Sequence, residues 1–145
     1  MGDKLLVEID SDLGEIARLS ALIEAFGEKH GLAPAAIYHI TLAFDEFLTN
    51  IISYGFSDGE PHKIAASIEI DGDTLAAEIV DDGIAFNPLA KPSPNTTKPV
   101  EEREIGGLGI HFIRRIMDKV EYCRTDGRNH LKMIKKVRAE PASWD

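Results

Sequence analysis

Three short constellations in this chain hold residue types that could handle a nucleotide. In "AFDEFLTNIISYGF", residues 43–56, apolar residues recur at helical spacing while Glu46 and Asn50 stand one turn apart. At about 100° per residue the pair lies roughly 40° apart and shares one face, on the side away from Phe44, Leu48 and Ile51. A carboxamide oxygen is a hard ligand for Mg²⁺, and a neighbouring carboxylate can accept a proton from an attacking hydroxyl. The same pair also suits a plain solvated helix face. In "IVDDGIAFNP", residues 79–88, Asp81 ends an apolar strand and Gly83 follows it. Such an Asp can present its carboxylate to an adenine amino group while the glycine turns the chain away; an ordinary Asp-Gly turn reads the same way. In "EIGGLGIHFIRRIMD", residues 104–118, Gly106, Gly107 and Gly109 open a helix. Small residues there let phosphates reach backbone N–H groups at the positive end of the helix dipole, or simply form a helix-entry loop.

The elements that must position these groups follow from periodicity. Leu5, Val7 and Ile9 alternate in a strand over 4–9. A helix follows with Ser11 or Asp12 as N-cap and Leu13, Ile16, Leu19, Ile23 and Phe26 on its apolar face. Pro34 suits the first turn of the next helix, whose apolar set Ile37, Ile40, Phe44, Leu48 and Ile51 carries it to about Tyr54. "KIAASIEI" and "TLAAEIV" alternate on either side of "DGD", predicting a hairpin over 63–70 and 74–81. Residues 87–105 hold four of the seven prolines and no apolar period, so they read as a long functional loop. The last helix is expected to bury Leu108, Phe112, Ile113 and Ile116, before strands over 119–125 and 130–137 that flank the turn "DGRN".

A chain of 145 residues fits one domain, 1–145, without disulfide staples, and Cys123 is its single cysteine. The net charge of −9 argues against direct nucleic-acid binding, which needs clustered Lys and Arg. No apolar run approaches a membrane span and no leader is evident, so the expectation is a cytoplasmic protein with no membrane partner.

The helical "EFLTN", the turn "DDGIA", a proline-rich lid and the helix-opening "GGLG", in this order, resemble the N, G1 and G2 boxes of the Bergerat-fold (GHKL) ATPases. Within that superfamily the chain is most similar to the anti-sigma-factor serine/threonine kinases, over nearly its whole length. The resemblance implies an α+β fold: a two-layer α/β sandwich with a mixed, mostly antiparallel sheet and helices on one face. It implies ATP and Mg²⁺ as cofactors, Glu46 as general base and Asn50 as the Mg²⁺ ligand. Asp81 would read adenine beside Gly83, with Ala85 at the last small position of that box. Gly106, Gly107, Leu108 and Gly109 would line the phosphates. Thr97 and Lys98 of "TTKP", with Arg103, would approach them from a lid over about 87–105. The implied partners are an anti-sigma-factor antagonist as substrate and a sigma factor as the protein held, with a homodimer left open. Two rival readings remain at this point: a non-catalytic, nucleotide-gated partner-binding module of the same fold, and a metabolic α/β enzyme whose glycines fall in these places by coincidence.

Overall fold

The structure is a computed structural model and describes residues 3–90 and 105–137. Strand β1 (Asp3–Asp10) leads into helices α1 (Glu15–Lys29) and α2 (Pro34–Tyr54). The hairpin β2 (Lys63–Asp71) and β3 (Thr74–Asp81) follows, then a single 3₁₀ turn at Pro88–Ala90, helix α3 (Ile105–Ile116), and the hairpin β4 (Lys119–Thr125) and β5 (Arg128–Lys136). The five strands form one sheet in the order β1-β2-β3-β5-β4. All four pairings are antiparallel, which narrows the mixed sheet expected from the resemblance. The fold is α+β in two layers, as expected.

Alternation along the strands decides which face is covered. Ile64, Ala66 and Ile68 on β2 and Leu75, Ala77 and Ile79 on β3 are buried, whereas Ala65 and Ser67 on the opposite face are only half-buried and Glu69 is exposed. The helices supply the other half of the core. Ile40, Phe44, Phe47 and Leu48 of α2 are each at most 1% exposed, and full burial of such side chains contributes about 1.5–3 kcal/mol apiece. Leu19 and Ile23 of α1 and Ile113 of α3 pack beside them.

Helix ends differ from expectation in informative ways. α2 starts with Pro34 in its first turn after an extended Ala33, and ends where Gly55 N–H bonds the Ile51 carbonyl at 2.7 Å. α1 has no side-chain N-cap from Ser11 or Asp12; its capping residue is Gly14. Asp12 acts earlier, its Oδ1 accepting the Gly14 N–H at 2.9 Å in an Asx turn. Leu13 therefore sits in that turn and is 53% exposed. On α3 the buried stripe is Ile110 and Ile113, continued by Met117 just past its end, so Phe112 lies off the stripe at 46% exposure instead of in the core. α3 begins at Ile105, which puts all three glycines inside the helix. In the last hairpin Asp126 (φ 55°) and Gly127 (φ 75°) both take the left-handed conformation of a two-residue type I′ turn. β5 therefore starts at Arg128 rather than 130, and Asn129 belongs to the strand, opposite Asp81.

Candidate functional site

Asp81 stands at the end of β3, between Ile64 of β2 and Asn129 of β5, and is 3% exposed. Its Oδ1 accepts the Gly83 N–H at 2.9 Å and the Asn129 side-chain amide at 2.9 Å. Oδ2 takes no hydrogen bond among the described residues, and no buried side-chain polar atom among them lacks a partner. A carboxylate fixed through one oxygen, with the other open to a ligand, is suited to accept an amino group in a set direction. Burial pushes the Asp81 carboxyl above its usual range, against the opposing hydrogen bonds from Asn129 and Gly83.

Gly83 is required by space. A Cβ on it would lie 2.2 Å from the Gly55 carbonyl oxygen and 3.0 Å from Phe56. The next residue, Ile84, donates its N–H to that same carbonyl at 2.8 Å. The turn after Asp81 is thereby bonded to the C-cap of α2, one turn beyond Asn50 and Ile51. Ala85 lies exposed in this turn.

Along α2, Asn50 is 3% exposed and Glu46 is half-buried, so the pair does not lie on the solvated face. That face carries Asp45 and Thr49. The Asn50 Nδ2 donates to the Glu46 carbonyl at 3.0 Å, which orients the amide and leaves Oδ1 without a hydrogen bond among the described residues. The Glu46 carboxyl in turn lies against Gly109: a Cβ there would come within 2.2 Å of Glu46 Cδ and Oε1. Two contacts thus bring the three constellations together. Glu46 meets the glycine-rich start of α3, and the α2 C-cap meets the Asp81 turn. Gly106 and Gly107 precede Gly109 in the same helix; the Leu108 side chain, Thr97, Lys98 and Arg103 lie outside the described residues.

Among the described residues no group of His, Cys, Asp and Glu could hold a metal ion alone. A lone oriented carboxamide oxygen still fits Mg²⁺, which keeps waters and substrate phosphate oxygens for most of its shell.

The sequence reading missed Asn129, which it placed in a turn. This side chain is the hub behind the site. Its Nδ2 bonds both Asp81 Oδ1 and, at 2.7 Å, the Ile84 carbonyl. Its Oδ1 accepts from the Tyr122 hydroxyl, from Arg124 Nη1 at 3.0 Å and from the Phe86 N–H at 3.4 Å. Arg124 Nη1 also reaches the Gly83 carbonyl at 3.1 Å. The one sequence signal for Asn129 was its place two residues past a type I′ turn, where alternation with Leu131 and Met133 puts it on the inward face.

The family model for the histidine kinase-like ATPase domain matches residues 9–135. The chain belongs to the histidine kinase-like ATPase domain family. Individual relatives of this ATPase domain include the serine/threonine-protein kinase BtrW of Bordetella bronchiseptica, 32% identical over 96 residues, which are 66% of this chain and 68% of the relative. The serine-protein kinase RsbW of Bacillus cereus is 25% identical over 147 residues, covering 99% of this chain and 91% of the relative. Among solved structures, the RsbU and RsbW domains of a Mycobacterium tuberculosis protein match with a TM-score of 0.64 at 15% identity, over 97% of this chain. That likeness concerns the fold, and this chain spans 34% of the length of that one. Among the described residues no helix is long and apolar enough to cross a membrane.

Proposed function

We propose that this domain is an ATP-dependent protein serine kinase that acts as an anti-sigma regulatory factor and phosphorylates a seryl hydroxyl of an anti-sigma-factor antagonist. The observation that carries the reading is the joining of Glu46 to Gly109 and of the α2 C-cap to the Asp81 turn, which makes one site of residues scattered along the chain. The names of the kinases BtrW and RsbW support it.

In this reading Asp81 Oδ2 accepts the adenine amino group, and Gly83 keeps the backbone clear of the base. The N–H groups at the start of α3 receive the phosphates, where the helix dipole favours negative charge. Asn50 Oδ1 would hold Mg²⁺, which when bound would neutralise phosphate charge during transfer. Glu46 orients the substrate serine and takes its proton as the new O–P bond forms and the bond from the γ-phosphorus to the bridging oxygen breaks, releasing ADP.

Single-turnover transfer from labelled ATP to the antagonist protein that co-purifies with the chain, measured beside ATP affinity, tests this. Glu46→Gln should keep most of the affinity while transfer falls by roughly 10²–10⁴, the usual range for a positioned base. Asn50→Ala should lower affinity and transfer together. ATP binding without any transfer by the wild type would replace the kinase with the nucleotide-gated binding module.

A further inference from the structure

A histidine outside the three constellations grips the nucleotide turn from behind. His62, in the segment between α2 and β2, places Nδ1 2.9 Å from Asp82 Oδ1 and Nε2 2.9 Å from both oxygens of Asp58. The ring stacks on Phe56 at 4.5 Å between centroids and 17° between planes. Its backbone is pinned to the end of β1, since His62 N–H donates to Ser11 Oγ at 3.0 Å and its carbonyl accepts the Ser11 N–H at 2.9 Å. The position of the ring is thus set by main-chain bonds and stacking. Asp82 follows Asp81 directly, and Gly83 packs against Gly55 and Phe56. His62 therefore connects the turn that carries Asp81 to the loop that leaves α2.

Both ring nitrogens face carboxylates, which only accept hydrogen bonds when ionised. A neutral imidazole has one N–H and can serve only one of them; the imidazolium serves both. We propose that His62 is a positioning residue for nucleotide binding: as an imidazolium it holds Asp82 and Asp58 together, fixes the Asp81 turn against the α2 C-cap, and makes nucleotide affinity depend on its proton.

The proposal rests on the reading of Asp81 as the adenine acceptor. The surrounding charges agree with it. The hydrogen bond to Asp58 foremost, with that to Asp82 and both negative charges, holds the His62 proton above the ordinary imidazole range despite desolvation. The other charged groups nearby are committed elsewhere. Arg124, lining the same cavity of about 280 Å³, bonds the Gly83 and Gly127 carbonyls and Asn129. Lys63 pairs with Asp10, and the Glu60 main-chain N–H, rather than its carboxylate, meets the clamp by donating to Asp58 at 3.0 Å. Among the described residues no metal-binding cluster includes this histidine.

The sign follows from the raised pKa. The clamp is complete below the ordinary imidazole range and is lost as pH rises through the higher value of the folded state. One aspartate then faces a lone pair, and the two carboxylates lose the charge between them. Affinity should fall about threefold to tenfold between pH 6 and pH 9, the change produced when bound nucleotide raises the imidazole pKa by half a unit to one unit.

Calorimetric titration of the full chain with ATP and excess Mg²⁺ across that range tests it, using wild type, His62→Gln and Asp81→Asn. The expected result is a decline in wild type and a flatter profile in His62→Gln, the difference between the two cancelling the ligand's own titration. Equal slopes in wild type and His62→Gln, with Asp81→Asn binding about tenfold or more weakly, overturn the clamp alone. Near-wild-type binding by Asp81→Asn overturns the adenine reading and the clamp with it. NMR titration of the wild-type His62 ring with and without nucleotide needs no variant: a higher pKa in the bound state supports the clamp, and an unchanged one overturns it.

Discussion

Glu46, Gly109, Asp81 and Gly83 show how a residue-scale contact decides what a substitution does. A Cβ at Gly83 would meet a backbone carbonyl that is itself bonded to Ile84, so neither side can step away. Gly83→Ala is expected to cost about 1–3 kcal/mol of stability, as overpacking does, and to weaken ATP binding; a denaturant titration beside calorimetry checks both. At Gly109 the obstacle is instead the end of the flexible Glu46 side chain. Gly109→Ala should therefore fold with a nearly unchanged melting temperature while phosphoryl transfer falls, because Glu46 is displaced. Asp81→Asn should lose on the order of 1.5–3 kcal/mol of ATP affinity, as for a hydrogen bond to a charged group. Its effect on the empty protein has the opposite sign. Burial raises the Asp81 pKa, so the carboxylate opposes folding at neutral pH, and the neutral amide should raise the melting temperature of the empty domain. A melting temperature below wild type would mean that the carboxylate stabilises its own hydrogen-bond network.

At the scale of elements, the β4–β5 turn sets a register that the site depends on. Asp126 and Gly127 both have positive φ, and this two-residue turn places Asn129 opposite Asp81. Gly127→Ala should cost about 1–2 kcal/mol, the penalty for a Cβ in the left-handed region, measurable as a lower denaturant midpoint at unchanged slope. A neutral result would show that the turn has another conformation. Most of the elements were legible because their signals are local: Pro34 and the period of Ile37, Ile40, Phe44 and Leu48 define α2, and strict alternation defines β2 and β3. The role of Asn129 was not legible, because it comes from a partner on another hairpin, and "DGRN" by itself reads as turn chemistry throughout. The burial of Asn50 was not legible for a related reason. A single apolar stripe describes a helix with one neighbour, whereas α2 is buried on several sides, with Ala43, Phe47 and Asn50 all inside.

At the scale of the molecule, the candidate site has no element of its own. Asn50 and Glu46 come from α2, Asp81 from β3 with Asn129 of β5 behind it, and the glycines from α3, and these are the same elements that build the core. A ligand that bridges them must act on the whole folding equilibrium, since it binds only where the layers are already packed. For a single domain that unfolds in one step, free ATP at a hundred times its dissociation constant should add about 2.7 kcal/mol of stability. A domain near 150 residues gains about 2–4 °C per kcal/mol, so the melting temperature should rise by roughly 5–11 °C with Mg²⁺-ATP. The same ATP concentration should stabilise Asp81→Asn by only about 0.3–1.3 kcal/mol, at most half the wild-type gain, while Glu46→Gln, which keeps the binding contacts, should shift nearly as far as wild type. Thermal melts followed by circular dichroism separate these cases. A full shift in Asp81→Asn would place the nucleotide away from the β3 turn, and no shift in a wild type that binds ATP by calorimetry would mean that the unfolded chain binds it equally well.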